Sequence, residues 1–113
     1  MDKVDKYGET IQKVIQEYAG DRYRRKDVDR ELIFDTKNYH YQIVNVVWEG
    51  DRRVYGSVLH LDIKGEKIWL QYKYNGTEID FAEELVKAGV PHQDIVIGFH
   101  SPFMRRFTEY AVS

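Results

Sequence analysis

His60 and Asp62 sit two residues apart in the run Val58-Leu-His-Leu-Asp-Ile63, where apolar and polar residues alternate. On a strand, that spacing sends both side chains out of the same face. An imidazole beside a carboxylate is the raw material of a divalent-metal site or of an acid/base pair. Either chemistry needs further partners, and no His-x-x-x-His or comparable spacing supplies them. The pair is therefore read as part of a polar sheet face, and neither a metal nor a cofactor is expected. Asp62-Ile-Lys64 also fits the Asp/Glu-x-Lys strand of metal-dependent nucleases, in which the lysine steadies an attacking water. That reaction needs a second carboxylate upstream. Asp35 and Asp51 are available, but nothing in the spacing singles out either one.

A second group lies near the C-terminus: His100, Ser101, Arg105 and Arg106. Ser101 before Pro102 places a capping hydroxyl ahead of proline at the first helical position. Such a helix start can accept an anion, but no glycine-rich cradle precedes it. The reading adopted is a cap followed by two arginines that anchor the tail to the domain or to a partner. Arg22, Arg24, Arg25 and Lys26 form the densest basic run, and Asp21, Asp27, Asp29 and Glu31 cancel most of its field. Ser57, Ser101 and Thr108 lack the context of a nucleophile elbow. No catalytic residue is expected.

The chain has 113 residues, a net charge of −2 and no cysteine. Length predicts one domain, residues 1–113, with a core large enough to fold unstapled. The absence of cysteine excludes disulfides, thiol nucleophiles and cysteine-ligated zinc. An acidic chain holds DNA weakly or indirectly at best. The N-terminus lacks an apolar stretch and no run approaches membrane-spanning length, so a cytoplasmic location is expected. Aromatic content is 14%, with nine tyrosines, which suits a half-buried sheet or a contact surface.

The elements that must position these side chains are set by periodicity. Val4, Tyr7, Ile11, Val14, Ile15 and Tyr18 recur at helical spacing over residues 2–19, with Gly20 as the stop. Strands are predicted over 31–35, 39–48, 53–64 and 67–74, with a turn at Asp35-Thr-Lys-Asn38. A Gly50-Asp51-Arg52 loop and a type II′ Gly65-Glu66 turn complete the meander. Together these turns pair Glu49 with Arg53, Val47 with Tyr55, Ile43 with Leu59 and Tyr41 with Leu61. The second hairpin pairs Lys64 with Lys67, Ile63 with Ile68, Leu61 with Leu70 and Leu59 with Tyr72. Tyr39, Tyr41, Tyr55, Tyr72 and Tyr74 then fall on the core face. Asn75-Gly76-Thr77 is read as a turn. Thr77-Glu-Ile-Asp80 is a capping box for a helix over 78–88 that buries Ala82, Leu85 and Val86 and ends at Gly89. Residues 95–99 form a strand buried on both faces, and 102–110 a last helix with Phe103 and Phe107 on one side. The predicted class is α+β, order α-β-β-β-β-α-β-α, with a mostly antiparallel sheet and helices packed on one face.

Several blocks resemble one family. They are Met1-Asp-Lys-Val-Asp-Lys-Tyr7, Trp48-Glu-Gly-Asp-Arg-Arg-Val-Tyr-Gly-Ser-Val-Leu-His-Leu-Asp-Ile63, Lys67-Ile-Trp-Leu-Gln71 and Gly76-Thr-Glu78. With them go Glu84-Leu-Val-Lys-Ala-Gly-Val-Pro91 and Asp94-Ile-Val-Ile-Gly-Phe-His-Ser-Pro-Phe-Met-Arg-Arg-Phe-Thr-Glu-Tyr-Ala-Val112. In order and spacing they are similar, over essentially the whole chain, to the XisI family, the cyanobacterial fdxN element excision controlling factor. The resemblance implies a small α+β domain that assists programmed, site-specific excision of a DNA element in heterocyst development. A separate recombinase would do the cutting, and the companion would be a nuclease-like, XisH-like protein. It implies no catalytic residues. The residues alone add a mechanism: docking through the polar sheet face (His60, Asp62, Trp69, Gln71) or through the terminal helix (His100, Arg105, Arg106, Tyr110), with a homodimer also open. The other functional classes are a DNA-binding accessory protein and a metal-dependent nuclease using Asp62 and Lys64.

Overall fold

The computed structural model describes residues 2–21, 28–74 and 80–113. The basic run at 22–26, the turn at 75–77 and the Thr77 cap therefore lie outside the described residues. Helix α1 spans Lys3–Asp21, opened by Asp2, whose Oδ1 accepts from the Asp5 amide at 2.9 Å. Its stripe behaves as the periodicity requires: Tyr7, Ile11 and Ile15 are buried, and Val4, Val14 and Tyr18 pack at the margin. The helix runs through Gly20 instead of stopping before it, because glycine permits a left-handed stop without compelling one.

Strands β1 (Asp29–Asp35), β2 (His40–Glu49), β3 (Arg52–Lys64), β4 (Lys67–Lys73) and β5 (Ile95–Ile97) form one sheet in chain order. The first three junctions are antiparallel, and β4 and β5 are parallel. The Asp35 carboxylate organises the β1–β2 turn by accepting from the amides of Lys37 and Asn38.

Two bulges revise the expected register. Pairing is as predicted from Tyr41↔Leu61 to Ile43↔Leu59, but then shifts so that Val44 faces Ser57 and Val58 is extra. The loop is accordingly two residues long, closing Glu49↔Arg52, and Tyr55 pairs with Val46 rather than Val47. In the second hairpin Ile63↔Ile68 and Leu61↔Leu70 hold, and then Gln71 is extra. Tyr72 thereby pairs with His60 and moves to the outer face, while Leu59 meets Lys73. Each extra residue flips the remainder of its strand to the other face. Hence Tyr55, Tyr72 and Tyr74 are exposed, against expectation, while Tyr41 is buried and Tyr39 partly so. Both Gly65 and Glu66 have positive φ, so the turn is type I′ rather than II′.

Helix α2 (Phe81–Lys87) starts one turn later than expected, with Asp80 as its cap accepting from the Glu83 amide at 3.1 Å. It ends in a Schellman arrangement: Gly89 at φ 104, with the Val90 amide donating to the Leu85 carbonyl. Phe81, Ala82 and Leu85 join the stripe of α1 and the inward side chains of β2–β5 in one core. A single 3₁₀ turn, His92–Asp94, leads into β5, whose three residues are all buried. Helix α3 is short, Pro102–Arg105. The amides of Phe107 and Thr108 reach back three residues, to Met104 and Arg105, and the chain then extends so that Ala111 donates to the Ile95 carbonyl at 2.9 Å. The edge of β5 thus competes successfully with continuation of the helix to residue 110.

Candidate functional site

The outer face of β2, β3 and β4 gathers more than the sequence reading placed there. Asp62 is paired directly with His40 on β2 and with Trp69 on β4, while His60 leaves the same face two residues along β3. Both imidazoles converge on one carboxylate oxygen. His40 Nδ1 lies 2.7 Å and His60 Nε2 2.8 Å from Asp62 Oδ1. The Gln71 amide donates to Asp62 Oδ2 at 3.2 Å. Gln71, left out of the β3–β4 pairing, shares this face with Trp69. Asp62 is only 8% exposed. Burial by itself would raise its pKa, but the hydrogen bonds from His40, His60 and Gln71 outweigh it and hold the carboxyl below the usual range. His40 is the member that sequence reasoning missed. A signal was available: the register that pairs Tyr41 with Leu61 also pairs His40 with Asp62.

Lys64 does not join this group. Its Nζ lies 4.6 Å from the centre of the Trp69 ring, and Arg105 Cζ lies 5.1 Å from the same ring. Arg105 also donates to the carbonyls of Ile97 and Gly98, at 3.3 and 3.2 Å. Trp69 is therefore half-buried between two cations, not an open aromatic anchor on a polar face, and Arg105 is tied into the domain.

Trp48, Tyr55, Tyr72 and Tyr74 are exposed along the sheet, and a second set of exposed aromatics lies at the C-terminal end. Ser101 caps α3, accepting from the Met104 amide at 3.3 Å. Phe103 and Phe107 pack edge to face, with Arg106 over both rings, and are 60% and 67% exposed. Phe99, Met104 and Val112 are also exposed. His100 sits against Phe99. Tyr110 stacks on His92, and burial with the nearby charges of Asp80 and Glu109 pushes its hydroxyl up to about 12. On the helix side, the Tyr7 hydroxyl donates to Asp94, which also pairs with Lys3 at 3.0 Å. The sites named from sequence thus separate into two groups: His60, Asp62, Trp69 and Gln71 around the sheet face, with Arg105 covering it, and His100, Arg106 and Tyr110 around the tail.

A family model described as XisI protein matches residues 1–112. The chain belongs to the XisI family. Among solved structures, a XisI-like protein from Anabaena variabilis ATCC 29413 shares 45% identity with a TM-score of 0.87, covering 97% of this chain and 99% of that one. The fdxN element excision controlling factor XisI of the same organism shares 34% identity with a TM-score of 0.85, covering 99% of this chain and all of its own, 100%. No curated protein matches the sequence. Among the described residues, no helix is long and apolar enough to cross a membrane.

Proposed function

We propose that this XisI-family protein is a non-catalytic controlling factor for the programmed excision of a DNA element. It acts in the cytoplasm, by contact with a nuclease-like, XisH-like companion. Family membership supports the controlling role. The contact mechanism rests on one observation, the exposure of Phe99, Phe103, Met104 and Phe107 near the end of the chain, with Arg106 over the paired rings of Phe103 and Phe107. Exposed aromatics rimmed by arginine are the side chains that carry most binding energy at protein interfaces. Trp69, on the sheet face, is already covered by Lys64 and Arg105, which favours the tail over that face. A net charge of −2 disfavours a direct grip on DNA.

The test is co-purification with the protein encoded beside it, with light scattering of the product at low and high salt. The expected result is a complex that survives high salt and is lost in a Phe103→Ala, Phe107→Ala variant that still folds. Absence of a complex, or one indifferent to that variant, would refute the reading. So would affinity for DNA that falls steeply with salt in the isolated chain.

A further inference from the structure

We propose that His40, His60 and Asp62 form a binding site for a divalent transition-metal ion of the zinc or cobalt class. Each residue offers one ligand atom, and the three atoms lie within 4.8 Å of one another. They stand on β2 and β3, which are interior strands of the sheet with a neighbour on either side. Backbone pairing on both sides fixes the Cα positions, so the ligands converge without needing a loop to order. The donor set is two imidazoles and one carboxylate. That set suits zinc, cobalt, nickel or copper, whereas calcium and magnesium demand oxygen ligands.

The detailed geometry supports this further. Gln71 holds Oδ2, which leaves Oδ1 aimed between the two rings. Such outer hydrogen bonds are how metal sites orient a ligating carboxylate. Two ring nitrogens crowding one carboxylate oxygen is an arrangement of protons that a cation can replace. At 2.7 and 2.8 Å the ligand atoms are closer than a bound ion would hold them. Metal bonds of about 2.0–2.2 Å at tetrahedral angles place ligand atoms roughly 3.3–3.5 Å apart. The required opening of each nitrogen–oxygen pair is about 0.5–0.8 Å. The His40 ring, 57% exposed, can turn by that much without disturbing the sheet. The same exposure leaves a coordination position open to water. A second cluster, Glu83, His92 and Glu109, has a single imidazole and a Glu109 side chain that is 67% exposed. Among the described residues no side chain holds its carboxylates as Gln71 holds Asp62, and it serves as the internal control.

The experiment is titration of the metal-free full chain with Co²⁺, monitored by visible absorption, and with Zn²⁺, monitored by calorimetry. One ion per chain is expected, with a Co²⁺ spectrum of imidazole and carboxylate ligation. His40→Gln and His60→Gln should each lower affinity at least about tenfold, and Gln71→Leu about 10–100-fold, as loss of an outer partner does. Glu109→Gln should leave binding unchanged. As a readout that needs no variant, Zn²⁺ should protect His40 and His60 of the wild-type chain from diethylpyrocarbonate while His92 and His100 still react. Failure to bind either ion, binding indifferent to His40→Gln and His60→Gln, or protection of His92 instead would overturn the proposal. None of these outcomes depends on the companion protein, so this proposal and the contact reading fail separately.

Discussion

Replacing Gly8 by alanine should destabilise this protein, opposite in sign to the usual effect in a helix. Gly8 lies inside α1, seven residues from Ile15 on the buried side. In an open helix interior, alanine is favoured over glycine by about 0.8–1 kcal/mol. Here the new Cβ would stand 2.6 Å from the hydroxyl oxygen of Tyr41, where ordinary contact begins near 3.4 Å. The Tyr41 ring is 1% exposed and packs against Phe34 at a centroid distance of 5.8 Å. The ring is rigid and almost wholly buried, so relief requires moving the ring or the helix. Overpacking of this kind costs about 1–3 kcal/mol. The net expectation is a loss of roughly 0–2 kcal/mol, centred near 1.

A double-mutant cycle isolates the cause. Tyr41→Phe removes the oxygen that meets the new Cβ, so in that background Gly8→Ala should recover the helix preference and stabilise by about 1 kcal/mol. The coupling between the two substitutions should then be about 1–3 kcal/mol. Urea unfolding monitored by circular dichroism measures all four corners, provided the slopes agree. Stabilisation by Gly8→Ala alone, or a cycle with no coupling, would refute the packing of α1 on β2.

Arg105→Ala should remove two hydrogen bonds to strand-end carbonyls and uncover Trp69, for a loss of about 1–3 kcal/mol. In a Trp48→Phe background, the emission of Trp69 should shift to the red, and an unchanged spectrum would contradict its burial under Arg105. Asp62 and Asp94 both titrate below their ordinary value of 3.8 when folded. Their contribution is therefore complete above the unfolded value and is lost as pH falls through the lower folded value. The urea midpoint should drop below about pH 4, and Asp62→Asn should flatten that drop. Tyr110 is raised to about 12 from 10.0, and Tyr7 is raised as well. Stability from these two is complete below pH 10 and declines as pH rises past the folded values. Tyr39, beside the Asp5 carboxylate, and buried Tyr41 are raised as well, so absorbance titration should show four tyrosines ionising late unless the fold opens first.

Element order, the stripe of α1, the Schellman stop at Gly89 and the pairing of Ile63 with Ile68 were legible because each depends on neighbours a few residues apart. The same alternation put His60, Asp62, Trp69 and Gln71 on one face of the sheet. His40 was within reach of that logic, since cross-strand register alone sets it opposite Asp62. Other features had no local signature. Val58 and Gln71 look like ordinary strand residues, yet each is squeezed out of the ladder. A bulge trades one pair of hydrogen bonds for better fit of the whole sheet on its helices, and that balance is struck only once both are in place. Through those two residues the tertiary structure moved three tyrosines to the surface and aimed Gln71 at Asp62. It likewise decided that Arg105, far along the chain, would close over Trp69 and leave the aromatic tail exposed. Chain-local chemistry determined which residues could share a face, and long-range packing decided which of them meet.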